Sequence, residues 1–347
     1  MALAKPILRY LEEGDGSLSE LVINEPGKIL LETDQGWIAQ EAPEIDLQRL
    51  STLITAIATY NNQSISTERP ILSAMLPDGE RVQIVQEPAV PPGSISITIR
   101  RPSSSARSMA QYVESGLFDG FVNAKASSAR NNADDELKAL YSQASTDPAA
   151  MGEFFVTAVA QQRNIAIVGD TGSGKTTFMK TLCGLIPHRE RVITIEDVRE
   201  IFMPDHPNRV HLLYSKGGQG VSKVTPADLI ASCMRMKPDR VLLAELRGSE
   251  SYDFLKLLTT GHAGSITSYH AASCTDAIAR FVLMAKEHPE ASAYSDSALK
   301  ALFFTAVDIV AHVKAVPVFD DTGAQIGRRR VMTEIYFDPK KKADLAL

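Results

Sequence analysis

The stretch Gly169-Asp170-Thr171-Gly172-Ser173-Gly174-Lys175-Thr176 constrains this chain more than any other, because it fits G-x-x-x-x-G-K-[ST] without a mismatch. Each position has a task around a polyphosphate. Glycines let successive backbone N–H groups curl into a concave anion nest. The Lys175 ammonium can reach β- and γ-phosphates, and the Thr176 hydroxyl can sit on a magnesium ion. The flanks agree with this reading. Asn164 to Val168 reads as a short buried strand, and Thr177 to Ile186 is apolar and helix-compatible. A strand, a glycine loop and a helix N-terminus in that order aim the helix dipole at the phosphates. Gly169, Thr171, Gly172, Ser173, Gly174, Lys175, Thr176 and Thr177 are therefore the candidate nucleotide-binding residues, with Lys175 also a catalytic candidate.

The composition bounds what surrounds this loop. The chain has 347 residues, room for two domains, with 44% hydrophobic and 22% charged residues as in ordinary globular domains. A formal net charge of -6 argues against a protein built to grip nucleic acid, which needs a basic surface, so no direct sequence-specific nucleic-acid binding is expected. Cys183, Cys233 and Cys274 are far apart with no C-x-x-C pair, and read as small core residues in a reducing cytoplasm. Met1 to Gly16 lacks the basic start and apolar run of a signal peptide. No stretch approaches the roughly 18 apolar residues of a membrane span, so membrane association is expected to be peripheral or through partners.

Three parts are expected along the chain. Residues 1–102 read as a small α+β domain. Asn24-Glu25-Pro26-Gly27 and Pro77-Asp78-Gly79-Glu80 are turn sequences between apolar runs, hence two hairpins. Leu47, Leu50, Leu53, Ile54, Ile57 and Ala58 follow helical spacing. Ser94 to Ile99 alternates as a strand that Pro102 should end. Residues 103–148 read as a linker with one or two short helices, because Ser103-Ser104-Ser105 and Ala126 to Ala133 are small and polar. From 149 to 347, strand and helix patterns alternate, predicting a mainly parallel sheet covered by helices. Its strand-end loops should form the nucleotide site.

Three further clusters sit where such a site needs them. Glu196 and Asp197 follow the apolar run Val192 to Ile195 and project into the strand-end crevice, where either could polarise a water or hold magnesium through water. Charged residues after strands are also commonly solvated or paired. Glu245 follows Val241-Leu242-Leu243-Ala244, where P-loop proteins usually carry an aspartate that contacts magnesium. Here Glu245 must serve as a magnesium contact through water, as general base, or as both; its plainer alternative is a pair with Arg247. Finally, His262 and His270 bracket the apolar strand beginning near Gly264, either as γ-phosphate sensors or as packing groups.

These four clusters in this order resemble the hexameric secretion ATPases: phosphate loop, Asp box at Ile195-Glu196-Asp197, atypical second motif at Ala244 to Gly248, and His box from Gly261 to His270. Ile97-Thr98-Ile99-Arg100-Arg101-Pro102-Ser103, Pro77 to Gln83 and Asp205-His206-Pro207-Asn208 are similar to the type IV secretion branch, that of the eleventh protein of the VirB system. The four-cysteine module common in the type II branch is absent. The resemblance implies a RecA-like P-loop ATPase domain behind a smaller α+β N-terminal domain. It further implies a homohexamer in the bacterial cytoplasm, peripheral at the inner membrane, hydrolysing ATP with magnesium held by Thr176 and Glu245, and with Glu196 and Glu245 as catalytic carboxylates. Other ATPases and inner-membrane components of a type IV secretion system are the expected partners. Arg100 and Arg101 become candidates to meet the nucleotide phosphates. Strand alternation lets at most one of them do so. A nucleotide-gated scaffold with little turnover, and a pilus or type II secretion motor, are the alternatives.

Overall fold

The computed structural model describes residues 7, 9–10, 18–33, 35–102, 108–120, 129–216 and 220–345. Sequence expectations at 1–6, 8, 11–17, 34, 103–107, 121–128, 217–219 and 346–347 lie outside them. The N-terminal domain is one antiparallel sheet with a helix on it. Strands β1 (Glu20–Ile23), β2 (Lys28–Thr33), β3 (Gly36–Glu41), β4 (Ile71–Met75), β5 (Arg81–Val85) and β6 (Ser96–Arg100) are ordered β3-β2-β1-β6-β5-β4. Both expected hairpins form: β1 pairs β2 across the Asn24–Gly27 turn, and β4 pairs β5 across Pro77–Glu80. Helix α1 (Leu47–Tyr60) starts where the Asp46 carboxylate accepts from Arg49 N at 2.7 Å, a cap worth about 1 kcal/mol. It buries Leu50, Leu53, Ile54, Ile57 and Ala58 against the sheet. Strand β3 was not anticipated. Its side chains are mostly exposed, so it lacks the alternation that marks a half-buried strand.

The sequence boundary at 149 falls too late. Helix α2 (Met109–Glu114) is short and exposed, as a linker helix should be. Helix α3 (Ala129–Gln143) is not: Leu137 is fully buried with Phe154 and Phe155 of α4 (Pro148–Ala160), and Asp134 pairs with Arg163 at 2.8 Å. The C-terminal domain therefore begins with α3. Its sheet is β13-β12-β7-β11-β10-β8-β9, built from β7 (Ile165–Val168), β8 (Val192–Glu196), β9 (Arg209–Leu213), β10 (Arg240–Leu243), β11 (Ile266–Tyr269), β12 (Ile309–Phe319) and β13 (Gln325–Phe337). All pairings are parallel except β12 with β13, an antiparallel edge hairpin.

Alternation divides the sheet cleanly between two cores. Ile165 and Ile167 of β7, Val192 of β8 and Leu242 of β10 face α3, α4 and α5 (Lys175–Gly184). Ala166, Val168, Ile193, Ile195, Val241 and Leu243 face the other way. There they meet α6 (Pro226–Cys233), α7 (Glu250–Thr259), α8 (Cys274–Lys286) and α9 (Asp296–Ala306); α10 (Pro339–Leu345) closes the chain. Cys183, Cys233 and Cys274 are free thiols buried in these cores.

The two domains share the second core, since Val85, Ala89 and Val90 pack into it. Polar contacts close the seam. Leu213 N donates to Ala89 O at 2.8 Å, and Gln83 Nε2 donates to Ser232 Oγ at 2.7 Å. Arg191, fully buried just before β8, donates to Asn24 Oδ1 at 3.0 Å, to Asn208 Oδ1, to Thr98 Oγ1 at 3.4 Å and to Met236 O at 2.8 Å. The N-terminal domain is thus fastened to the β8–β9 side of its own C-terminal domain.

Candidate active site

The phosphate loop joins the end of β7 to the start of α5, as the sequence pattern requires. Two of its glycines have no substitute. At Gly169 (φ +151°) a Cβ would fall 2.1 Å from the Val313 carbonyl oxygen of β12. Gly174 (φ +99°) caps α5 in the left-handed region that side chains rarely adopt. Lys175 is buried and folded back on the loop, donating to Gly169 O at 2.8 Å and Asp170 O at 2.9 Å. Burial lowers its pKa, against the opposing charges of Glu245 and Asp170. Ser173 Oγ is buried and has no hydrogen-bond partner. A cradle of glycines in conformations closed to other residues, a reserve cation and an orphaned hydroxyl fit a polyphosphate.

Parallel strands bring the other clusters to the same end of the sheet. Glu245 lies two residues past β10. Its turn is fixed to β11, because Ser268 Oγ donates to Ala244 O at 2.7 Å and Leu246 N to Ser268 O at 2.8 Å. His270, just past β11, stands between the lysine and the carboxylate: Nδ1 is 3.4 Å from Lys175 Nζ and Nε2 is 3.2 Å from Glu245 Oε1. These partners match the tautomer in which Nδ1 accepts from the ammonium and Nε2–H donates to Glu245. Arg247 grips the other oxygen, with Nε 2.8 Å from Glu245 Oε2, and also gives Nη1 to Asp197 Oδ2 at 2.6 Å. Burial opposes the guanidinium charge, but bonding to Glu245 and Asp197 outweighs it and raises the Arg247 pKa. The plainer sequence alternative for Glu245, a pair with Arg247, is thus present, yet it stands inside the site.

Four sequence candidates are positioned differently. Glu196 is 0% exposed and turned into the interior. Its Oε1 accepts from Thr194 Oγ1 at 2.7 Å, and its Oε2 from the backbone N–H groups of Glu200 and Ile201, each at 2.8 Å. Burial alone would raise its pKa, but hydrogen bonds from His211, Ile201, Thr194 and Glu200 leave it lowered. Both oxygens are committed to this buried turn, and the crevice receives Asp197, its neighbour of opposite strand phase. His262 precedes β11 and lies at the far end of the sheet from the phosphate loop, near Thr260 Oγ1 at 3.4 Å. A strand has only one end at the crevice, so His270 alone of the pair reaches it.

Arg100 closes β6 and pairs with Glu20 at 3.5 Å, while Arg101 N donates to Ser19 O at 2.9 Å. Among the described residues, no hydrogen bond or ion pair joins either arginine to the phosphate loop of the same chain. Sequence reading missed Arg330 of β13, whose side chain lies over Gly174. It belongs to no motif, and only the run Arg328-Arg329-Arg330 hinted at a basic edge.

Residues 127–316 match the family model described as Type II/IV secretion system protein. Its start coincides closely with α3. The type IV secretion system protein VirB11 of Brucella suis biovar 1 (strain 1330) is 40% identical over 345 residues, 99% of this chain and 91% of that protein. The type IV secretion system protein PtlH of Bordetella pertussis (strain Tohama I) is 39% identical over 330 residues, 92% of this chain and 91% of that protein. The fold matches the crystal structure of the VirB11 ATPase from the Brucella suis type IV secretion system in complex with sulphate, with a TM-score of 0.86 and 39% identity. That match covers 99% of this chain and 96% of that one. With the phosphate loop, Glu245 and His270 brought to one end of a sheet of this topology, the chain belongs to the VirB11 family of type IV secretion ATPases.

Proposed function

We propose that this chain converts ATP and water to ADP and phosphate as the motor of a type IV secretion system, driving channel or pilus assembly or the transfer of DNA or protein. The observation that carries this reading is the convergence of Lys175, His270, Glu245, Arg247 and Asp197 beside the glycine loop. In the proposed cycle Lys175 leaves the carbonyls of Gly169 and Asp170 for the β- and γ-phosphates, exchanging two neutral acceptors for charged ones. Its contact with His270 is thereby given up, so the histidine reports the arrival of phosphate to Glu245. Glu245 is the proposed general base towards the attacking water. A carboxylate gripped by a guanidinium is a weak base, so Arg247 must release Oε2 first, which makes that ion pair the gate on turnover.

Magnesium fits the donors present, since such ions take one or two protein oxygens plus phosphates and waters. The Thr176 hydroxyl and, through water, Glu245 would hold it, and when bound it neutralises charge on the β- and γ-oxygens.

The proposed assembly is a homohexamer, peripheral at the bacterial inner membrane and working with the other ATPases and membrane components of the machine. No helix among the described residues is long and apolar enough to cross a membrane. A neighbour's N-terminal domain is proposed to supply Arg100 or Arg101 to each site. Supporting this, the chain's own N-terminal domain is fastened by Arg191 on the β8–β9 side, and among the described residues the exposed Arg100 pairs with Glu20 of its own sheet and with no group of the C-terminal domain. Purified protein should release phosphate from ATP and form six-fold rings, and mixed-label rings should yield crosslinks between the N-terminal domain of one copy and the phosphate loop of the next. Phosphate release no greater than that of Lys175→Ala, with or without partner membranes, would overturn the motor in favour of a nucleotide-gated scaffold.

A further inference from the structure

The β12–β13 hairpin holds Arg330 against the phosphate loop. A Cβ built on Gly174 would lie 2.6 Å from Arg330 Cδ, 3.1 Å from its Nε and 3.6 Å from its Cγ. The side chain therefore crosses the residue that precedes Lys175 and caps α5. The hairpin that carries it is locked to the loop: β12 pairs with β7 from Ile309 to His312, and Val313 O abuts Gly169. Arg330 stands opposite Ala315 in the hairpin register, two residues beyond Val313. Alternation sends Arg329 to the opposite face.

The sheet order gives this placement a direction. The strand bearing the loop, β7, has β11 and then β10 on one side, carrying His270 and Glu245, and β12 and β13 on the other. A triphosphate bound in the loop with its γ-phosphate towards Glu245 and His270 has its nucleoside end towards the hairpin. Resting on the nucleotide reading above, we infer that Arg330 binds the α-phosphate of the bound nucleotide, on the side away from the reacting phosphate. Its guanidinium is permanently charged and offers a planar fork to a phosphate. It serves ATP and ADP alike, because both present the same α-phosphate. The site is thus divided: Glu245 and His270 face the bond that breaks, and Arg330 holds the part of the ligand that persists through the cycle.

The test is Arg330→Met in the full chain, which keeps the aliphatic stem over Gly174 and removes the charge. ADP and ATP affinities, read by titration calorimetry, should fall by the same factor, roughly tenfold or more for a lost charged hydrogen bond. The kcat at saturating ATP should stay within about twofold, the sign of binding shared by ground and transition states. Arg330→Lys should recover part of the affinity for both nucleotides. Wild-type ADP affinity in Arg330→Met would show that the stem merely packs on the loop. Loss confined to ATP, with a fall in kcat, would move the arginine to the γ-phosphate; either result overturns the inference. Lys175→Ala run in parallel separates this from the underlying reading: if Lys175→Ala binds and hydrolyses ATP as wild type does, the nucleotide site itself is wrong.

Discussion

The two ends of the central sheet hold charge in opposite ways. At the ends where the strands begin, buried charges and polar groups are satisfied by partners that cannot leave. Arg240 is 0% exposed and bonded to Glu190, Val159 O and Gly264 O. Arg191 is bonded to two asparagine side chains, a threonine and a carbonyl. Asn164 is tied to Asp308, Ala306 O and Ser265 N. At the ends where the strands finish, Lys175, Glu245, Arg247, Asp197 and His270 pair with one another; the cations could equally serve a phosphate, and the carboxylates a water. Saturation by fixed groups gives rigidity, and mutual pairing among partly exposed side chains gives a site that rearranges when a ligand offers better partners.

The sharpest test of this contrast is Lys175→Ala. It should abolish ATP turnover, measured as phosphate release, while leaving the urea unfolding midpoint close to wild type. A folded variant that still hydrolyses ATP at the wild-type rate would remove the exchangeable end from catalysis. Glu245→Gln should lower kcat by about 100-fold or more, the range for a lost general base, with ATP still bound. Equal loss of affinity and turnover would assign Glu245 to magnesium instead.

At the fixed end, Arg191→Met should cost about 3 kcal/mol in urea unfolding, because the side chains of Asn24 and Asn208 lose a buried hydrogen-bond donor. Its nucleotide affinity should not change. If Arg191→Met is as stable as wild type, the seam is not held by this network. The smallest effect concerns Glu20, across the seam from Arg191. Burial raises its pKa from 4.5 to about 7, against the pull of Lys237 and Arg100. A carboxyl with a raised folded pKa keeps its proton longer in the folded state, so folding stability falls as pH rises from about 4.5 to about 7 and then levels. Glu20→Gln should flatten that part of the stability profile, read as urea midpoints at pH 5 and pH 8. Parallel profiles for the two proteins would mean that Glu20 does not carry the slope.

Much of the exchangeable end was legible in the sequence because its residues follow strands directly in a motif. The phosphate loop, Glu245 and His270 are local patterns. What alternation hides is phase: Glu196 and Asp197 are adjacent, and nothing local says which one faces the crevice. His262 was misplaced for a related reason, since spacing along a strand does not reveal which end carries the site. The fixed end was almost wholly illegible. A buried arginine such as Arg191 or Arg240 looks like any surface arginine until the partners from distant segments are in view. Helix α3 read as linker because its apolar residues, Leu137, Leu140 and Tyr141, are few; the hydrophobic partners that bury Leu137 come from α4. Strand β13 is polar and mostly exposed, and only its pairing with β12 reveals it.

The seam around Val85, Ala89 and Val90 has a consequence for how work could be done. With one apolar core running through both domains, a subunit is a single block with no internal pivot at that contact. If such blocks close into a ring, as proposed above, motion falls chiefly on the joints between neighbours. Angles around a closed ring must sum to a constant, so a joint that tightens on ATP obliges others to widen. Firing order would then follow from ring closure alone, with no signal needing to travel through the interior of any block.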